Sequence, residues 1–257
     1  MPEDQAVDHE VEPLADERVL VPVTASELVF EGRVWDVRRE TFDLGDGPIV
    51  RDFMDHPGAV AVLALDDDDC VFLIRQYRHP VRLRDWEIPA GLLDVPGEDP
   101  LEAAKRELAE EGDLEASEWA VLADFLTTPG GSDEALRIYL ARGVRPTAHA
   151  FVREDEEAHI ETRWVPLDEC VDAVLARRVQ NPSLVIGVLA AETSRARGWR
   201  SLGEADAAWP TRSTPRGSQA HRGALADGAP ASGAWADGES ADAASPDGEP
   251  AEGPARA

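Results

Sequence analysis

Residues 90–114 read AGLLDVPGEDPLEAAKRELAEEGDL, a glycine-bearing loop running into a stretch crowded with carboxylates. The second half is a run of strong helix formers. Asp99 suits an N-cap, Pro100 the first helical position, and Glu102, three residues after Asp99, completes a capping-box pattern. Gly112 is expected to end the helix. At 100° per residue, Leu101, Ala104 and Leu108 form one narrow apolar stripe, and Glu107 and Glu111 flank it on one side. Two carboxylates are therefore expected at the edge of a core. That placement is costly: like charges four apart repel, they oppose the dipole of a last turn, and burial raises the penalty. A divalent cation reverses the sign of all three effects, and an oxygen-only ligand set favours Mg²⁺ or Mn²⁺. Glu110 lies nearer Arg106, its neighbour four residues back, and is expected to be a structural partner.

Composition narrows the rest. The chain has 257 residues, enough for one generous core, and a formal charge of −27. Such a surface disfavours nucleic acid and anionic membranes, and an anionic substrate would need local arginines and a metal. Cys70 and Cys170 sit far apart in apolar segments and read as free thiols of a cytoplasmic protein. The acidic N-terminus carries no apolar run resembling a signal peptide, and no stretch is long and apolar enough to span a bilayer.

Along the chain, residues 1–17 read as a disordered acidic leader. Strand-like runs follow at 19–23, 27–30, 33–42 and 49–54, the last two joined by a Gly45-Asp46-Gly47 turn. Residues 59–65 and 70–77 are two apolar strands across the acidic turn 66–69, a pattern that predicts a hairpin. The densest basic cluster comes next, Arg75, Arg78, Arg82 and Arg84, followed by Trp86-Glu87-Ile88-Pro89. Guanidinium forks suit phosphate oxygens. Beyond residue 114, strands are expected at 120–126, 136–141 and 160–165. A Pro129-Gly130-Gly131-Ser132-Asp133-Glu134 turn and a polar loop, 145–158, lie between them. Helices are expected at 168–178 and from 184 to about 197. From residue 198 onward, Ala, Gly, Ser, Pro and Asp dominate, which reads as a disordered acidic tail.

Gly91, Glu98, Arg106, Glu107, Leu108, Glu110, Glu111 and Leu114 together resemble the Nudix box of hydrolases acting on nucleoside diphosphates linked to another moiety. Two departures are visible. One extra residue lies between Gly91 and Glu98, around Val95-Pro96, and the box's second glycine is replaced by Asp113, with Gly112 one place early. The first predicts a longer loop, the second an earlier helix cap. The PGGSDE run and the RQYR cluster make the resemblance closer to ADP-ribose pyrophosphatases, over residues 18–197.

That resemblance implies an α/β fold, a Nudix α/β/α sandwich with a mixed sheet, preceded by a small N-terminal antiparallel sheet. It divides the chain into the leader, a β subdomain at 18–57 that forms an intertwined homodimer, a hydrolase domain at 58–197, and the tail at 198–257. The implied reaction is Mg²⁺-dependent (or Mn²⁺-dependent) hydrolysis of ADP-ribose to AMP and ribose 5-phosphate. Glu107 and Glu111 would hold the metal with the Ala90 carbonyl, assisted by Glu110. Glu156, with Glu157 the neighbouring candidate, would act on the attacking water. Arg78, and Arg51 from this subunit or its partner, would hold phosphates or the terminal ribose. Glu87, Gly91 and Ser132 would line the substrate site, and Glu98 and Arg106 would join loop to helix. The alternatives are another nucleoside diphosphate sugar, a reduced nicotinamide dinucleotide, or a catalytically silent module that senses ADP-ribose.

Overall fold

In a computed structural model, residues 13–151, 153 and 159–212 are described. Three strands come first: β1 (Val23–Phe30), β2 (Asp36–Asp43) and β3 (Pro48–Asp55), an antiparallel sheet in sequence order. Of the two short runs expected at 19–23 and 27–30, the first contributes only Val23 and the second lies wholly within β1, joined to it because Ala25 and Ser26 also pair with β2. Gly45 and Gly47 both have positive φ, which lets the β2–β3 connection reverse tightly.

β4 (Ala59–Ala64) is the centre of the molecule, with all six residues buried. It pairs in parallel with β9 (Ala135–Pro146) and antiparallel with β7 (Ala90–Leu92). β8 (Leu114–Leu126) and β11 (Gly203–Glu204) complete this mixed five-stranded sheet in the order β11-β8-β9-β4-β7. A second antiparallel sheet has β5 (Cys70–Arg78) between β10 (Glu161–Pro166) and β6 (Leu83–Glu87). The expected hairpin at 59–77 is thus corrected. Its strands diverge into different sheets and share one bridge, Leu65 to Val71. A strand buried on both faces needs ladder partners on both edges, and β9 and β7 already occupy those edges of β4.

Alternation along β4 divides the core. Val60, Val62 and Ala64 face a cluster closed by Ala103, Ala104 and Leu108 of α1 (Pro100–Gly112). Ala61 and Leu63 face the other side. There α2 (Leu167–Leu175) and α3 (Pro182–Ala196) contribute Leu167, Cys170, Leu184 and Val188. Each fully buried leucine contributes about 1.5–3 kcal/mol. This is the expected sandwich of helices on both faces of a mixed sheet. Asn181 caps α3 by accepting from the Leu184 amide at 3.0 Å, and both cysteines are free, Cys170 buried with its thiol pushed up to about 11 by desolvation.

The packed chain extends past residue 197, the expected end of the hydrolase domain, and takes in Trp199, Leu202 and Trp209. β11 pairs with Ala120 and Val121, Trp199 and Leu202 join one core cluster, and Trp209 joins the other. Arg137 fastens this segment from beneath. It is 3% exposed, forks onto Asp124 at 2.7 and 2.8 Å, donates to the Ala207 carbonyl at 2.7 Å, and stacks on Trp209. Three large side chains compensate for the low aliphatic content that suggested disorder. No helix among the described residues is long and apolar enough to cross a membrane.

Candidate active site

The α1 helix begins as its sequence dictates: Asp99 accepts from the Leu101 amide at 2.9 Å, and Pro100 follows. The second half of the capping box does not form, because Glu102 pairs instead with Lys105 at 2.7 Å. The helix end also differs from expectation. Gly112 is its last residue, and a Cβ there would meet the Phe72 ring at 3.0 Å, so close packing disfavours a side chain at this position. The cap is Asp113, in the left-handed region at φ 54° and ψ 35°. The helix therefore ends at the position where the box has its glycine, not one residue early. The extra loop residue is absorbed in a turn closed by the Glu98 amide on the Val95 carbonyl, with Gly97 at φ 80°.

Within α1, Glu107 and Glu111 are buried, 8% and 4% exposed, as the helical wheel predicts. Their surroundings explain how. β7 is pinned to β4 by the pairs Ala61–Ala90 and Val60–Gly91, and this presents the Gly91 backbone directly to the helix. A Cβ on Gly91 would lie 1.9 Å from Glu107 Oε1 and 2.0 Å from its carboxyl carbon. The carboxylate fills the space a side chain would need. The Ala90 amide donates to Glu111 Oε2 at 2.8 Å.

Arg106 gathers the rest. Its Nε and Nη2 fork onto Glu98 at 3.0 Å each, while Nη1 donates to Glu107 at 2.6 Å and Glu110 at 3.0 Å. The Glu98 bonds are the main reason its guanidinium is held charged beyond its ordinary range, with Glu107 adding to them. Loop and helix are thereby joined, and one positive centre already bridges two carboxylates of the box helix. Glu110 is the more exposed of them, its side chain 36% accessible against 10% for Glu107. Among the described residues no three acidic, histidine or cysteine side chains converge closely enough to hold an ion as they stand. Arg106 and the Ala90 amide draw the carboxylates instead.

Arg78 and Glu87 are also brought together, in a fork of 2.7 and 2.7 Å. The β5–β6 register sets Glu87 opposite Ile74, whose side chain packs in the α1 cluster, so Glu87 lies on the face where the box helix sits. Glu87 is 2% exposed, whereas the Arg78 side chain is 42% exposed. The buried acid thus aims a half-exposed guanidinium outward.

Arg51 and Ser132 share a separate open cleft of about 360 Å³ with Phe53, Pro129, Gly130 and Asp133. The Arg51 guanidinium donates to its own Val50 carbonyl at 2.8 Å. Ser132 Oγ accepts from the Glu134 amide at 3.1 Å and donates to the Met54 carbonyl at 3.4 Å. With Met54 N–H on the Gly131 carbonyl at 2.9 Å and His56 N–H on Asp133 at 2.8 Å, the PGGSDE turn clamps the N-terminal sheet to the main sheet. Glu156 and Glu157 lie outside the described residues.

His56 completes that clamp. Its Nδ1 accepts from the Gly58 amide at 3.1 Å, and its Nε2 lies 3.7 Å from Glu134. Burial lowers its pKa from the ordinary 6.5, against the opposing pull of Glu134, Asp133 and Asp55. A histidine held neutral in the fold binds fewer protons than in the unfolded chain. Its stabilisation is complete above about 6.5 and is lost as pH falls below it. We expect Tm to decline from pH 7.5 to 5.5 in low-salt buffer, and His56→Asn to flatten the decline; an equally steep decline in the variant would assign it elsewhere.

Residues 54–185 match the NUDIX domain family. The chain belongs to the Nudix family. It is 43% identical over 171 residues to the ADP-ribose pyrophosphatase of Mycobacterium tuberculosis, covering 65% of this chain and 80% of that protein. It is 36% identical over 157 residues to the ADP-ribose pyrophosphatase of Bacillus subtilis, covering 60% and 83%. It is also 35% identical over 164 residues to a methanol dehydrogenase activator of Bacillus methanolicus, covering 63% and 88%. A crystal structure of an ADP compounds hydrolase shares the fold, with a TM-score of 0.59 at 22% identity over 72% of this chain and 99% of that one.

As a Nudix hydrolase the chain takes a divalent cation, and its residues fit one. Glu107 and Glu111 supply hard oxygen donors at a buried edge, Glu107 held by Arg106 and set against the Gly91 backbone, Glu111 held by the Ala90 amide. Sequence reasoning missed His56, which joins the clamp, and Asp113 as a cap. The only available signal for Asp113 was its place in the box where glycine was expected.

Proposed function

We propose that this chain hydrolyses the pyrophosphate bond of ADP-ribose, releasing AMP and ribose 5-phosphate. The observation that carries the reading is the pair of buried carboxylates, Glu107 and Glu111, pressed against the Gly91 and Ala90 backbone. The substrate is argued from the relatives, since those of M. tuberculosis and B. subtilis are both named ADP-ribose pyrophosphatases.

In this reading Glu107 and Glu111, with the Ala90 carbonyl and assistance from Glu110, hold Mg²⁺ or Mn²⁺. The bound ion supplies charge neutralisation at the pyrophosphate and a lowered pKa for the attacking water. Arg106 and Glu98 keep the helix and loop in register. Gly91 leaves room for the Glu107 carboxylate and for close approach of the substrate. Glu87 aims Arg78 at phosphate oxygens or the terminal ribose, and retains lone pairs for a ribose hydroxyl. Arg51 and Ser132 line the neighbouring cleft for the remaining substrate oxygens. Glu156 or Glu157 takes the proton from the attacking water.

The 18–57 sheet serves as a homodimer interface. β1 is exposed along its whole length, and Val23, Leu28, Val29 and Phe30 are each at least 40% exposed. An unpaired apolar edge of this kind favours a second copy. The hydrolase domain then begins at 58 and takes in the packed segment that carries Trp199, Leu202 and Trp209. A cytoplasmic location agrees with the free thiols.

A substrate panel with Mg²⁺ tests the reading: ADP-ribose, sugar nucleotides and reduced nicotinamide dinucleotide compared by kcat/KM. We expect ADP-ribose to lead. A higher value for another compound would reassign the substrate, and release from none would favour a sensing module.

A further inference from the structure

The C-terminal end of α1 carries a fastening that neither the box nor the metal site requires. Asp113 adopts φ 54°, which glycine does freely and other residues do at a cost of about 1–2 kcal/mol. A cap alone needs only the backbone. Here every polar group of Asp113 is engaged. Its amide donates to the Ala109 carbonyl at 2.9 Å and its carbonyl accepts from the Thr147 amide at 2.9 Å. Its Oδ1 accepts from the Phe151 amide at 2.7 Å, and its Oδ2 from Arg153 Nη2 at 2.5 Å. Arg153 Nε donates in turn to the Glu110 carbonyl at 3.0 Å, one of the last-turn carbonyls that helix geometry leaves open. The last turn of α1 contains no basic residue, so Arg153 brings the cation that suits the helix C-terminus from another part of the chain.

We propose that Asp113 is a positioning residue of the hydrolytic reaction. With Arg153 it moors Thr147 and Phe151 to the end of the helix that carries Glu107, Glu110 and Glu111. The chain that continues from Arg153 therefore departs from a fixed point on the box helix. A glycine would suit the left-handed backbone better and would offer neither carboxylate bond, so the aspartate here exchanges backbone ease for attachment. The inference rests on the hydrolase reading above, in which the acidic run following Arg153 supplies the carboxylate acting on water. Charge-assisted bonds fix Arg153 itself to the end of the box helix, and small misplacements of a reacting group are costly in rate.

The test uses the full chain and its variants Asp113→Gly, Asp113→Asn, Arg153→Ala, Arg153→Lys and the double variant Asp113→Gly/Arg153→Ala. Steady-state kinetics on ADP-ribose at saturating Mg²⁺ is paired with amide hydrogen exchange. In Asp113→Gly we expect kcat to fall about tenfold, with KM and the half-saturating Mg²⁺ concentration within about twofold of wild type. Asp113→Asn, which keeps one acceptor, and Arg153→Lys, which keeps the charge, should recover part of the loss. The double variant should be no worse than Asp113→Gly, because both changes break one linkage. The Thr147 and Phe151 amides should exchange faster in Asp113→Gly while those of 103–111 do not. Two results would overturn the proposal: faster exchange with kcat unchanged, or exchange unaltered at those two amides. If wild type releases no AMP from ADP-ribose, the hydrolase reading is what fails, and the exchange data still decide whether the mooring exists.

Discussion

Glu107→Gln is expected to lower kcat by about a thousandfold while the protein remains folded. The substitution keeps shape and removes one full negative charge from the ligand set. An ion that stabilises transition-state charge contributes several kcal/mol, and each ~1.4 kcal/mol is a factor of ten in rate. Folding should survive because Arg106, which loses one charged partner, keeps its fork on Glu98 and its bond to Glu110. Two measurements check this outcome. Turnover should stay low across a Mg²⁺ titration, and the Mg²⁺-induced rise in Tm shown by wild type should shrink or vanish. Near-full turnover at saturating Mg²⁺ would remove Glu107 from the metal site.

Gly91→Ala is expected to be nearly as damaging, by about a hundredfold in kcat, although it adds one methyl group. Gly91 has no positive φ, so its backbone would accept alanine. The conflict is with Glu107, whose Oε1, carboxyl carbon and Cγ would stand 1.9, 2.0 and 2.6 Å from the new Cβ. No packed pair of atoms tolerates such distances, and the ladder from Val60 to Gly91 keeps the strand in place. The Glu107 side chain must swing away, taking its donor oxygens with it. Because both substitutions disable the same ligand, Gly91→Ala added to Glu107→Gln should cost little more than Glu107→Gln alone. Full additivity in kinetics would mean that Gly91 acts through something other than Glu107.

Much of this site was legible before any coordinates, because the helical period alone separates the glutamates. Glu107 and Glu111 fall beside the apolar stripe and are buried; Glu110 falls beside Arg106 and pairs with it. The sandwich was legible too, through the box and the strands around it. Other features were not, each for a physical reason. Strand periodicity identifies residues 59–65 and 70–77 as strands but carries no information about which edges pair, so the divergence of β4 and β5 was hidden. Composition underestimated residues 198–212, since three large side chains and one buried arginine anchor a segment otherwise poor in apolar residues. Glycine preference pointed to Gly112 as the cap, whereas it lies inside the helix in close contact with Phe72, and Asp113 takes the left-handed position, where its side chain gains the bonds to Phe151 and Arg153. Long-range partners decided every one of these cases.

The central claim is that carboxylates of the box helix serve a divalent cation in splitting a nucleoside diphosphate. The most direct measurement is chromatographic analysis of ADP-ribose incubated with the full chain, first with Mg²⁺, then with excess chelator, then with Mg²⁺ restored. The account predicts AMP and ribose 5-phosphate in equal amounts, abolished by the chelator and recovered with the metal. ADP-ribose left intact in the presence of Mg²⁺, or cleaved equally well in the chelator, would contradict it.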